Sequence, residues 1–177
     1  MSAVAVARRM WRAARLEADL YEEVEHDRSA TPQAFAVVLC ASVAAGIGSF
    51  HNGGWAGIGW SAVAWLVGWY AWARTTWWIG TRLLPGPDTH ADPGELLRTL
   101  GFSSSPGVLL AFALFEPLAG AIFLLCALWM LACMVAAVRQ ALDYRGNLRA
   151  IAVCAIGFPV YAAILGVTLL LLGPWPI

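Results

Sequence analysis

The sequence predicts an all-α, polytopic integral membrane protein: five transmembrane helices preceded by an N-terminal cytoplasmic amphipathic helix. Three observations predict it. Of the 177 residues, 60% are hydrophobic and 12% are charged, where an average soluble domain has roughly half and about a quarter. Apolar runs of membrane length recur beyond the first 32 residues, and a helix crossing about 30 Å of hydrocarbon needs roughly 20 apolar residues. Finally, there is no Lys, and all 11 basic residues are Arg, confined to alternate connections between those runs.

Residues 1–32 form the arm and residues 33–177 the membrane domain. Within the arm, "VAVARRMWRAARLEADLYEEVEHDR" (residues 4–28) contains neither Gly nor Pro and predicts one helix. Leu16, Leu20 and Val24 make an apolar line at i, i+4, i+8, the pattern of an amphipathic face. Arg8, Arg9, Arg12 and Trp11 suit an anionic membrane interface. The acidic half from Glu17 to Asp27 does not; it suits a protein partner or packing against the protein's own loops. Pro32 is acceptable in a first helical turn, where the chain enters the first span.

The spans predicted are 34–50, 55–73, 102–116, 121–138 and 150–172. Arginine tests the count. Arg residues precede the first span, lie between the second and third, and between the fourth and fifth; the connections at 51–54 and 116–120 have none. Cytoplasmic loops carry the excess of Arg, so five spans put every Arg on one side. The N-terminus is then cytoplasmic and the C-terminus exported. Small residues at spacing four (Ala41/Ala45/Ser49 and Ser42/Gly46, then Gly53/Gly57/Ser61) predict a tight hairpin of the first two helices. Trp77 and Trp78 match an interfacial aromatic belt.

Ser103–Ser105 before Pro106 read as a serine cap with proline at the first helical position. Glu116 is the one ionisable residue from Gly101 to Val138, and Pro117 follows it. An acid inside a membrane segment is a candidate functional site: a proton or cation site, with His51 the one side chain able to meet it, or a headgroup-layer carboxylate that helps end a helix. The net charge of zero leaves no field to attract nucleic acid. Cys40, Cys126, Cys133 and Cys154 lie in apolar runs without metal-ligand spacing. The three His are scattered outside the spans, and no nucleophile has a base near it in sequence. Neither a metal, a cofactor nor an enzymatic activity is expected.

The segments "DLYEEVEHDRSATPQAF", "RTLGFSSSPGVLLAFALFEPLAG" and "AVRQALDY", in that order, resemble the bacterial branch of the Ypt/Rab-interacting (YIP-type) membrane proteins. The likeness runs from about Asp19 to Leu172. Its most specific parts are Asp19-Leu20-Tyr21, Leu100-Gly101-Phe102-Ser103 with Pro106, and Ala137 to Leu142. The resemblance implies a cytosolic N-terminus, five membrane helices and a short exported C-terminus. Eukaryotic members bind prenylated small GTPases and one another, and their Asp-Leu-Tyr is followed by Gly-Pro, where this chain has Glu22-Glu23. It implies a non-catalytic adaptor, membrane organiser or accessory subunit in the bacterial inner membrane. Its partners would be lipids, other membrane-associated proteins or further copies of itself. Asp19, Tyr21, Glu22, Glu23 and Glu25 are then the expected partner contacts. The competing expectation is a small proton- or cation-coupled transporter using Glu116.

Overall fold

The computed structural model describes residues 3–171, without the side chains of 52, 53 and 164–171. Every described element is helical. The arm gives α1 (Ala3–Ala14) and α2 (Ala18–His26), and a 3-10 turn, Arg28–Ala30, leads into α3 (Thr31–Gly48). Then follow α4 (Phe50–Trp78), a π-turn (Ile79–Leu83), α5 (Pro93–Ser103), a 3-10 helix (Ser105–Leu114), α6 (Glu116–Ala141) and α7 (Asn147–Leu171).

The arm is two helices, not the single helix expected. Leu16 takes a left-handed φ of 61°, which costs a non-glycine residue about 1 kcal/mol or more. Around it the Leu16 N–H bonds to the Ala13 carbonyl and the Glu17 N–H to the Arg12 carbonyl, the paired bonds of a Schellman helix end. The same motif ends α6 at Asp143, with φ 52°.

Among the described residues, three segments are long and apolar enough to cross a membrane: Arg28–Gly48, Pro93–Leu114 and Glu116–Ala141. This is fewer than the five expected. Helix α4 has the length, but its Trp, Gly, Ser and Thr residues dilute its hydropathy. Helix α7 is apolar over Asn147–Ala163, where the described side chains end, and that stretch alone is shorter than a crossing. The expected end of the fifth span at 172 and the C-terminal tail lie outside the described residues.

Helix α3 lies at the centre. On one side it pairs with α4, whose helical path is broken at Gly54 (φ 55°, ψ −153°), a conformation that glycine adopts without steric cost. The Ser61 hydroxyl crosses this hairpin to the Ser42 carbonyl at 2.9 Å. On its other side α3 packs along the 3-10 helix. Gly107, Leu110 and Ala113 are buried there, a period of three that matches three residues per turn. The contact is close enough that a methyl group at Gly48 would fall on the Leu110 carbonyl oxygen.

The third span starts earlier than expected, and the serines do not cap it. Asp92 and Glu95 form a capping box around Pro93 at the start of α5. Ser103, Ser104 and Ser105 instead donate backwards, to the carbonyls of Leu100, Leu100 and Phe102. Pro106 has no N–H for the Phe102 carbonyl, and the Ser105 hydroxyl supplies that bond at 2.6 Å. Glu116 and Pro117 begin α6. The positive end of the helix dipole favours the carboxylate there, and proline suits the first turn.

One end of the bundle gathers the turn after α3 and the start of α6, where His51 Nδ1 stands 3.7 Å from Glu116 Oε1. The other end gathers the connection before α5 and the α6–α7 turn. There Thr89 donates to the Leu142 carbonyl at 2.8 Å, and Arg145 meets Asp88 at 2.8 Å. The arm packs toward this second end. Leu20, Tyr21 and Val24 belong to the same buried cluster as Leu96, Phe102, Val138 and Leu142.

Candidate functional site

The arm is the part of the molecule that carries a concentrated and organised set of charges. Its two helices are tied by arginines on α1. Arg9 reaches Glu23 at 2.7 Å and Asp27 at 2.9 Å; Arg12 reaches Glu23 at 2.6 Å and Glu17 at 3.1 Å. Arg9 also donates to Gln33 at 3.0 Å, which ties α1 to the first turn of α3. A hydrogen bond from Arg12, supplemented by Arg9, holds the Glu23 carboxyl below its ordinary range despite partial burial. Bonds from Ser29 and then Arg9 do the same for Asp27. Exposed pairs contribute about 0.2–1 kcal/mol each; their effect here is to set the angle between α1 and α2.

What holds the hairpin on the bundle is a set of bonds to its helix ends. The last carbonyls of a helix lack intrahelical partners. At the end of α1, Ala14 accepts from Trp129 Nε1 at 2.7 Å, and Ala13 accepts from the Tyr21 hydroxyl at 3.1 Å and from Cys133 Sγ at 3.5 Å. At the end of α2, the buried Arg98 guanidinium of α5 donates to the carbonyls of Val24, at 2.9 Å, and Glu25. A cation at a helix C-terminus also offsets the negative end of its dipole.

These contacts sort the residues expected to meet a partner. Tyr21 is fully buried and serves the arm's own fold; burial pushes its phenol far above its usual range. Glu25 is 6% exposed and faces inward. Asp19, Glu22 and Glu23 remain exposed. With His26 they fall at i, i+3, i+4 and i+7, one face of α2. Glu23 is engaged by Arg9 and Arg12, and Glu22 lies 3.4 Å from Gln140 Nε2. Of the expected interface residues, Arg8 and Trp11 are exposed, whereas Arg9 and Arg12 are turned into the ion pairs. Trp78 is exposed; Trp77 is partly buried and donates to the Ala91 carbonyl at 2.9 Å. Glu116 is 73% exposed at its side chain and has His51 beside it.

Sequence reasoning missed Arg98, Trp129 and Cys133. Arg98 was the findable one, being the last charge before an apolar stretch reaching Glu116; its partners are backbone carbonyls more than seventy positions away, which no local pattern encodes. No group of three or more His, Cys, Asp or Glu able to hold a metal occurs among the described residues.

Glu25 gives the arm a pH dependence. Burial first, then the negative charges of Glu95 and Asp143 and the smaller one of Glu22, raise its carboxyl to about 7, with His26 opposing. The docked arm therefore binds this proton more tightly than a released one, whose Glu25 titrates near 4.5. The contribution of Glu25 to docking is fully present below about pH 4.5, is lost as pH rises toward 7, and levels off above it; the Glu23 and Asp27 pairs act in the opposite sense, weakening only as pH falls through their lowered carboxyl range. Amide exchange in residues 18–26, corrected for intrinsic rates, should show protection falling over that window. Glu25→Gln should flatten the profile; an unchanged slope in that variant would assign the dependence to another group.

Comparison of this chain with protein-family models, with curated proteins and with solved structures finds no match in any of the three.

Proposed function

We propose that the protein is a non-catalytic integral membrane adaptor, organiser or accessory subunit of the YIP type. In this reading α3, α4, α5 with the 3-10 helix, α6 and α7 cross the bilayer, and the docked arm is cytoplasmic. Two observations support the five crossings. The two Arg-free turns meet at one end of the bundle, and the connections rich in Arg meet at the other. Helix α4 packs as a hairpin partner of α3, which is itself long and apolar enough to span.

The observation that carries the adaptor reading is the exposed acidic face of α2, held from behind by Arg98 at its last carbonyls and by Tyr21 bonded to the end of α1. A preformed helix face loses little conformational freedom on binding. Its charge suits a basic surface on a membrane-associated partner. The buried faces of α2 hold the arm, leaving Asp19 and Glu22 for recognition.

The test is recovery of tagged protein from its native membrane in mild detergent, with mass spectrometry of near-stoichiometric companions. The double variant Asp19→Lys with Glu22→Lys should lose the companion while keeping the exchange protection of α2. Recovery of the same companion in equal amount from the double variant would remove this face from the interaction.

A further inference from the structure

A groove runs between α1 and the first turn of α3. Arg8, Arg9, Arg12, Glu23, Asp27 and Gln33 contribute to its lining. Arginines outnumber carboxylates on that lining by three to two. Arg9 and Arg12 are paired with the acids, but Arg8 is exposed and has no ion pair among the described residues. The groove thus presents a guanidinium fork free to bind, beside two more held in place by acids.

The surroundings of the groove identify the occupant. Val4 and Trp11 flank Arg8 on α1 and are 68% and 63% exposed. Depth matters as well. The groove opens at the start of α3, where Ser29 and Gln33 line it, the end of that helix that faces the Arg-rich side in the five-crossing reading. Large exposed apolar side chains next to a surplus cation at that height fit a phosphodiester with acyl chains attached. Arginine reads such a group through paired N–H donors.

We infer that this groove binds the phosphate headgroup of an anionic phospholipid, with Arg8 as the principal contact and Val4 and Trp11, which share its face of α1, against the acyl chains. The inference rests on the chain's lying in a bilayer and not on the adaptor role. A cation near an anionic leaflet strengthens binding by about fivefold, and that is the expected effect of Arg8→Gln.

The experiment uses the full chain in vesicles of phosphatidylcholine containing a minor fraction of phosphatidylglycerol, followed by gentle extraction and native mass spectrometry of retained lipid. The expected result is one retained phosphatidylglycerol, enriched over phosphatidylcholine. Retention should fall about fivefold in Arg8→Gln, be largely restored in Arg8→Lys, and stay unchanged in Arg28→Gln, another exposed arginine of the arm. Three results would overturn the inference: equal retention of both lipids, an equal loss in Arg28→Gln, or displacement of the lipid by inorganic phosphate alone. Failure of the chain to enter the vesicles at all would instead sink the membrane reading beneath it. Exchange protection of α2 in Arg8→Gln, expected to be unchanged, separates loss of the site from loss of the arm.

Discussion

Arg98→Ala is expected to lower the amide-exchange protection of residues 18–26 by about a hundredfold. Hydrogen bonds from a charged donor contribute about 1.5–3 kcal/mol each, and Arg98 serves the carbonyls of both Val24 and Glu25 from a buried position. Losing it strands those carbonyls and leaves a void beside α2. A cost of about 3 kcal/mol converts to roughly a hundredfold rise in the released population, which amide exchange reads directly. Arg98→Lys should recover part of the loss, since an ammonium group reaches one carbonyl but lacks the guanidinium fork. Exchange in α6 around Cys126, packed with Ala45 and Leu110 away from the arm, should stay slow. If protection of 18–26 is unchanged in Arg98→Ala, the arm is held by its other contacts alone.

Gly48→Ala should be the most damaging single methyl in the bundle. The added carbon meets the backbone oxygen of Leu110 and then the side chain of Ala113, and a backbone oxygen cannot rotate away. Overpacking of this kind costs about 1–3 kcal/mol, with the upper part of the range expected because the 3-10 helix must move as a unit. For a chain of this length that is a fall in Tm of roughly 6–12 °C. Gly57→Ala is the matched control: it lies in α4 with open space around the new carbon, and it should leave Tm unchanged or slightly higher. Equal melting of the two variants would show that α3 and the 3-10 helix are not in close contact.

What sequence patterns revealed, and what they hid, follows from the range of the forces involved. The α3–α4 hairpin was legible because small residues at spacing four are a local signature of close helix packing, and Ser42, Ala45 and Gly46 are indeed buried. The start of α5 was equally legible in Asp92-Pro93-Gly94-Glu95, a capping box plus a first-turn proline, but the serine run competed for the same role. Those serines bond backwards because the hydroxyls and the proline-orphaned carbonyl satisfy each other. The break at Leu16 was hidden. Nothing in "RAARLEADL" breaks a helix, and the end of α1 just before the left-handed residue is bonded, at the Ala14 carbonyl, by Trp129 from over a hundred positions away. Burial of Tyr21 and Glu25 was hidden for the same reason: α2 carries apolar and acidic residues on both sides, and only the face of α5 and α6 decides which turns inward. The meeting of His51 with Glu116 needed only that two Arg-free turns share an end, and topology brings them together.

The 3-10 helix also acts as a ruler. It advances about 2.0 Å per residue where an α-helix advances about 1.5 Å. Ser105–Leu114 therefore covers roughly 20 Å, a distance that would take an α-helix about thirteen residues. The chain thereby reaches Glu116 with less length than regular coiling demands. Because its side chains eclipse every third position, Gly107, Leu110 and Ala113 form a straight rail and not a spiral. A straight rail matches one side of α3 along its whole course. Rewinding those ten residues to the α form would shorten the rail by about 5 Å and swing Leu110 and Ala113 out of line. The distance between the two ends of the bundle is thus written into the winding of one short segment.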